Sequence, residues 1–313
     1  MKPLAKSPAS RERPRNLAAS IRARLLKIAK EVNRDYNSVL LQYFQERFLF
    51  RLSRSAYRSQ FILKGALLFI VYQMPRARPT RDIDFLGQAM TNDPKEVQNT
   101  LKRIADIQFD DGVTFNGASV SVEKIKEETE YEGVRAKIEA ELGGARNVLQ
   151  LDIGFGDKII GGPVEIEFPV LLDPPAPKIQ VYSKESALAE KFEAIVRLSF
   201  ITSRMKDFYD ILYLASHESF NFETLHEAII ATFDRRETPL GDRSVIFGDG
   251  FKRARDKQEQ WQAFLTRSHL ESYQQFAEAV EHLRIFLDPV CSTRVVRARR
   301  SVWHPESWEW RTE

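Results

Sequence analysis

Apolar residues recur at helical spacing over 17–32 and 38–52, which predicts two helices at the start of the chain. The apolar run Phe61-Ile62-Leu63 follows, then Lys64-Gly65, then a mostly apolar stretch over 66–72. That order reads as an extended entry, a glycine turn and a buried helix. Pro75 and Pro79 should end this helix, because proline lacks the N–H that a helix interior needs. Polar and apolar residues alternate over 82–86, the signature of a half-buried strand. Asp93-Pro94 opens a helix to about residue 105, with proline at the favoured first position. Period two then returns over 118–125, 134–142, 148–155 and 164–168, predicting a run of antiparallel strands joined by glycine-bearing turns.

The segment Asp173-Pro174-Pro175-Ala176-Pro177 is the clearest linker, since successive prolines forbid helix and cannot sit in a central strand. Beyond it the pattern is helical: 184–200, with Ser183 as N-cap and Glu185 in the first turn, then 203–216, 222–233, about 251–267 and 271–286. The expected architecture is α/β (α+β). Residues 1–175 form the leading helices and a mixed sheet, and residues 176–313 form a helical domain with a basic tail.

Composition narrows the classes. With 43% hydrophobic and 29% charged residues the chain has ample material for a core. No stretch of eighteen apolar residues exists, so no membrane span is expected. Residues 1–15 are basic and lack the apolar centre of a secretory signal, and read as a flexible arm. Cys291 stands alone, which excludes an internal disulfide and a cysteine-based zinc site and fits a cytoplasmic protein. Net charge is only +3, but Arg11, Arg13, Arg15, Arg22, Arg24 and Lys27 crowd one end and Arg294, Arg297, Arg299 and Arg300 the other. These clusters are either phosphate-contacting surfaces or solvated termini. The aromatic tail with Trp303, Trp308 and Trp310 either stacks bases or packs back on the helical half. His217, His226, His269, His282 and His304 are scattered without metal-ligand spacing.

The chemistry concentrates elsewhere. Asp82 and Asp84 are two apart on a strand, so both point to one face of the sheet. Carboxylates that close repel unless a cation lies between them, and hard oxygen donors suit Mg²⁺. Asp152 is the one charged residue of the strand segment 148–154 and supplies a third acid. Three acids from two strands can hold the metals that clamp a phosphoryl transfer. A lone Asp-x-Asp is common on solvated strands; here Lys64-Gly65-Ala66 lies upstream, where a turn could offer backbone N–H groups to a triphosphate. Downstream, Lys191 sits among apolar helix positions, a compact charge suited to phosphates. Asp207 and Asp210 share one helical face and would either position an acceptor hydroxyl or orient Lys191 by an ion pair.

The glycine-helix-Asp-x-Asp order with a third acid on a later antiparallel strand resembles the polymerase-β-like nucleotidyltransferase superfamily. More narrowly, 61–66 (FILKGA) with 78–85 (RPTRDIDF), then 189–195 (AEKFEAI) leading into 204–211 (RMKDFYDI), is similar to the AbiEii family of type IV toxin–antitoxin systems. Together these signatures extend from about residue 61 to 214. The chain departs from that family at Gly65-Ala66, where Gly-Gly or Gly-Ser is usual. The resemblance implies a Mg²⁺-dependent nucleotidyltransferase toxin of MenT-like type. It would transfer a nucleoside monophosphate from a nucleoside triphosphate to an acceptor, the 3′ end of tRNA, and would have a separately encoded antitoxin. It assigns Asp82, Asp84 and Asp152 to metal and catalysis. Lys191 and Asp207 are assigned to catalysis. Lys64, Gly65, Ala66, Arg81, Lys191 and Asp210 are assigned to the nucleotide. Thr80 takes the place of a residue phosphorylated in some such toxins; otherwise it merely starts the strand. Two other readings remain: a non-catalytic nucleotide-binding module and a two-metal RNA nuclease.

Overall fold

The computed structural model describes residues 16–72, 80–126, 132–268, 270, 273–292 and 300–312. Arg11, Arg13, Arg15, Pro75, Arg78, Pro79, His269, Arg294, Arg297 and Arg299 lie outside the described residues. Two helices lead, α1 (Leu17–Glu31) and α2 (Tyr36–Arg54). Each is opened by a side-chain cap: Asn16 accepts from the Ala19 N–H and Asp35 from the Ser38 N–H. Helix α2 is buried nearly all round and therefore runs through the core. Its Arg51 grips Asp111 with two hydrogen bonds of 2.8 and 3.1 Å, an ion pair closed off from water.

Strand β1 (Phe61–Lys64) passes directly into one helical turn, α3 (Gly65–Leu68). The helix expected over 66–72 shortens to this turn, and i→i+3 hydrogen bonds then tighten the chain as far as Tyr72. Leu67, Leu68 and Phe69 are all buried, so packing rather than helical propensity sets its shape. Then come β2 (Asp82–Gly87) and α4 (Pro94–Ala105), the latter with proline in its first turn as expected. Strands β3 (Val113–Lys126), β4 (Glu132–Leu142) and β5 (Ala145–Phe155) form an antiparallel meander, with a bulge between Asn116 and Ser121. The sheet is completed by β6 (Val164–Glu167) and β7 (Lys178–Val181).

These seven strands lie in the order β3-β4-β5-β2-β1-β7-β6. The β2–β5 and β1–β7 pairs are parallel and the others antiparallel, so the expected mixed sheet is present. Two details differ from the sequence reading. Strand β6 does not extend the meander but lies at the far edge, paired with β7. Strand β7 falls beyond the proline segment and pairs with β1, so the sheet runs on past residue 175 to Val181, and the helices follow from Lys184. Four residues are too few for a readable period, which hides β7 in the sequence.

The back half holds α5 (Lys184–Leu198), α6 (Met205–His217), α7 (Phe222–Arg235), α8 (Arg243–Phe247), α9 (Asp249–Lys252), α10 (Arg255–Ser268) and α11 (Phe276–Leu287). Ser183 caps α5 by accepting from the Ser186 N–H. The helix expected over 251–267 breaks into α9 and α10, and the last helix starts at Phe276 rather than at 271. The aromatic tail forms a hairpin, β8 (Ser301–His304) and β9 (Glu309–Thr312), that packs on these helices. Trp303 is fully buried and donates Nε1–H to the Ala215 carbonyl at 2.6 Å; Trp310 donates to Phe286 O at 2.9 Å. Of the two readings of the tail, packing holds. Among the described residues no helix is long and apolar enough to cross a membrane.

Candidate active site

Alternation along β2 sorts its residues onto two faces. Ile83 and Phe85 are buried against the core, and Asp82 and Asp84 take the other face. Register then decides their neighbours. Asp84 lies opposite Asp152 on β5 and opposite Lys64 on β1, Asp152 lies opposite Arg135 on β4, and Arg135 lies opposite Glu123 on β3. Residues directly opposite share a face, so one charged row crosses five strands: Glu123, Arg135, Asp152, Asp84, Lys64. Two adjacent carboxylates stand at its centre, with a cation on either side.

The centre of this row is electrostatically unfavourable without a cation. Burial pushes the Asp84 carboxyl up to about 6; Lys64 works against that rise, and Asp152 and Asp82 add to it. Asp82 is also raised, by burial and then by Asp152. Gly65 brings the main chain close against this pair. Its φ of +68° favours glycine, and a Cβ there would collide with the Asp84 carboxylate. Asp152 is turned toward Arg135, which grips it with bonds of 2.8 Å from Nε and 2.7 Å from Nη2. Gln150 adds an amide contact at 3.4 Å.

These groups open into a cavity of about 510 Å³ between the sheet and helices α5 and α6. Lys64, Gly65, Ala66, Thr80, Asp82, Asp84, Asp152, Lys191 and Asp207 all line it, so most of the residues singled out from sequence meet in one place. A larger hollow of about 860 Å³ lies along α7, but its lining includes none of them. The chemistry therefore marks the smaller cavity.

On the helical wall, Lys191 donates to Asp207 Oδ1 at 2.8 Å and to Asp210 Oδ2 at 2.6 Å, and lies 4.9 Å over the Phe69 ring. Of the two roles considered for the aspartates, the ion pair is what the structure displays. Burial works against the Lys191 charge, yet the two carboxylates outweigh it and hold its pKa above the usual lysine value. Burial likewise disfavours charge on Asp207, but Lys191 and Arg204 hold that carboxyl down at about 2.

Three sequence expectations change. Arg81 is exposed and does not line the cavity; its carbonyl accepts from Gln45 at 3.3 Å, and its charge reaches Asp82 from outside the lining. Asp210 is fully buried beneath Lys191 and does not face the cavity. The Lys64 amine lies 3.0 Å from Asp157 and 3.5 Å from Glu190, so it is held among acids rather than extended toward a phosphate. Five further cations line the cavity that the sequence reading gives no role: Arg135, Arg197, Arg204, Lys206 and Arg236. Arg204 and Lys206 stand in the quoted RMKD segment, which gave the available signal. Arg135 sits mid-strand, and its role depends on a register that sequence does not show.

For a divalent cation the donor chemistry fits: hard carboxylate oxygens from Asp82 and Asp84 on one face, their pKa values raised by burial first and by neighbouring carboxylates second. The cage is not preformed. Among the described residues no three acid, histidine or cysteine side chains are gathered as a metal site. Asp152, the third acid, is paired with Arg135 instead.

Across this cavity, carboxylates on a mixed sheet face a cationic helical wall. The model of the family described as "Nucleotidyl transferase AbiEii toxin, Type IV TA system" matches residues 47–282, and the chain belongs to that family. It is therefore a nucleotidyltransferase of type IV toxin–antitoxin systems, a family that implies a nucleotide substrate and an antitoxin partner. A structure described as that of a candidate nucleotidyltransferase from H. pylori is similar at 14% identity and a TM-score of 0.47, covering 82% of this chain and 96% of that one. JHP933 from Helicobacter pylori is similar at 15% identity and a TM-score of 0.39, covering 82% of this chain and 99% of its own. At such scores neither likeness carries an argument. Comparison with curated proteins found no match.

Proposed function

We propose that the chain is a Mg²⁺-dependent, MenT-like toxin that transfers a nucleoside monophosphate from a nucleoside triphosphate to the 3′-hydroxyl of tRNA in the cytoplasm. The observation that carries this reading is the single cavity that joins Asp82, Asp84 and Asp152 to Arg197, Arg204, Lys206 and Lys191. Carboxylates alone would repel a triphosphate, and cations alone would bind it without activating it. In this reading Asp82, Asp84 and Asp152 hold Mg²⁺, which when bound would neutralise charge on the phosphates. Arg204 and Lys206 orient the triphosphate tail, and the Gly65 turn admits it close to the main chain. Lys191, fixed by Asp207 and Asp210, presents a charge that cannot be lost near neutral pH. Asp152 takes the proton of the acceptor hydroxyl as its oxygen bonds to the α-phosphorus. The bond to the leaving oxygen breaks and pyrophosphate departs.

Thr80 lines the cavity two residues before Asp82 and donates to the Asp82 carbonyl at 3.3 Å. A phosphate on its hydroxyl would bring about two negative charges to the carboxylates and oppose nucleotide entry. That would give an antitoxin a chemical means of silencing the site.

The test is incubation of the purified chain with each labelled nucleoside triphosphate, Mg²⁺ and total tRNA, followed by sequencing of the RNA 3′ ends. Added nucleotides that vanish with Asp84→Ala support the reading. No transfer with any of the four nucleotides overturns it, and RNA shortening without triphosphate would point to a nuclease instead.

A further inference from the structure

Arg135 is the cation closest to the third carboxylate, and nothing in the transfer chemistry above gives it a role. Its guanidinium fits Asp152 edge to edge, with two bonds of 2.8 and 2.7 Å. That is the two-pronged geometry in which arginine pairs most strongly with a carboxylate. The pair is only partly enclosed, with Arg135 at 35% and Asp152 at 17% side-chain exposure, so it can rearrange without unfolding anything. Asp82 also attracts Arg135, and so does Glu123. Glu123 is the next member of the charged row, exposed and directly opposite Arg135 on β3, on the side away from Asp152.

We propose that Arg135 is a positioning residue that stands in for the metal: it occupies Asp152 in the metal-free enzyme and moves to Glu123 when a divalent cation enters. This rests on the reading of Asp82, Asp84 and Asp152 as metal ligands. No bond is made or broken; two carboxylates exchange one guanidinium. Several observations converge on it. Among the described residues the three acids are not gathered as a cage, although Asp82 and Asp84 share one face of β2 and Asp152 lies opposite Asp84. Both oxygens of the carboxylate that would complete the set accept hydrogen bonds from Arg135, whose positive charge opposes a cation beside them. The row also provides a second acid for the arginine to go to. The Arg135 pairing gives Asp152 a counter-charge beside Asp84. The device keeps a toxin's metal site half-assembled until the metal arrives.

The test is Mn²⁺ binding to the full chain, stripped with chelator and without nucleotide, read from the free-ion electron paramagnetic resonance signal. Activity is not the readout. A support that merely holds β4 against β5 would weaken binding when lost, whereas a competitor would strengthen it. Arg135→Gln should tighten Mn²⁺ binding by at least about tenfold, since it removes a unit positive charge in contact with a ligand. Arg135→Lys keeps the charge but loses the two-pronged grip and should fall between. Glu123→Gln should weaken binding severalfold in the wild-type background and much less in the Arg135→Gln background, where no arginine needs a destination.

Unchanged or weaker binding in Arg135→Gln, with its melting temperature retained, overturns the proposal. If Arg135→Gln fails to fold, the Arg135→Lys comparison decides in the same way. Asp152→Asn separates the two levels. If it loses Mn²⁺ while Arg135→Gln gains nothing, the metal reading stands and the exchange is refuted. If the wild type, Asp152→Asn and Arg135→Gln all fail to bind, both fall.

Discussion

The most discriminating prediction is that Asp84→Asn disables the enzyme and stabilises its metal-free fold. Asp84 titrates at about 6 in the folded chain against an ordinary 3.8. Because the folded value is raised, its favourable contribution is fully present below about pH 4 and is lost as pH rises through about 6. A rise of that size means that the charged carboxylate disfavours the fold by about 3 kcal/mol near pH 8, an upper bound because water moderates it. Asparagine keeps the shape and removes the charge. In a chain of this size the gain should appear as a melting temperature higher by roughly 3–5 °C with chelator at about pH 8. By about pH 5 the native carboxyl is mostly protonated, and the gap should narrow by about half. Added Mg²⁺ should raise the melting temperature of the wild type and not of the variant. The assay is thermal unfolding of both proteins at the two pH values, with and without Mg²⁺. An Asn variant that melts at or below the wild type near pH 8 in chelator would refute the electrostatic reasoning, whatever its activity.

Other consequences follow from the same geometry. Lys191→Met leaves Asp207 and Asp210 charged and sealed from water, and should cost about 3–5 kcal/mol in urea unfolding; a loss under about 1 kcal/mol would show that the triad is not closed as described. Asp207, held at about 2, contributes stability that is present above its ordinary 3.8 and disappears as pH falls through about 2. Asp207→Asn should therefore flatten the acid limb of the stability profile between about pH 4 and 2, measured by chemical denaturation across that range. Gly65→Ala combines a left-handed φ of +68° with a collision against Asp84. It should lower stability by at least about 1–2 kcal/mol and abolish nucleotidyl transfer, and a fully active, wild-type-stable variant would contradict the close approach at that turn.

Periodicity carries the fold a long way because its main signals are local. Asp82 and Asp84 declare a shared face by being two apart, and the cap Ser183 occurs where its helix begins. The limits lie where structure depends on pairing. Strand β7 is four residues long after a run of prolines, and only its partnership with β1 makes it part of the sheet. Lys64 reads as a phosphate ligand because it precedes a glycine turn, yet the fold gives it Asp157 and Glu190 from distant segments.

Arg135 illustrates the limit best. On the strand it is one arginine alternating with apolar neighbours. Only the β4–β5 register puts it against Asp152, and only the β3–β4 register provides Glu123 on its other side. A row of charges across five strands comes from segments up to 88 residues apart, so no window along the chain contains it. What a sequence motif locates is the pair of carboxylates that any cation would choose. What the register adds is the set of neighbours that decides when the third carboxylate is available, and in this chain that neighbour is itself a cation.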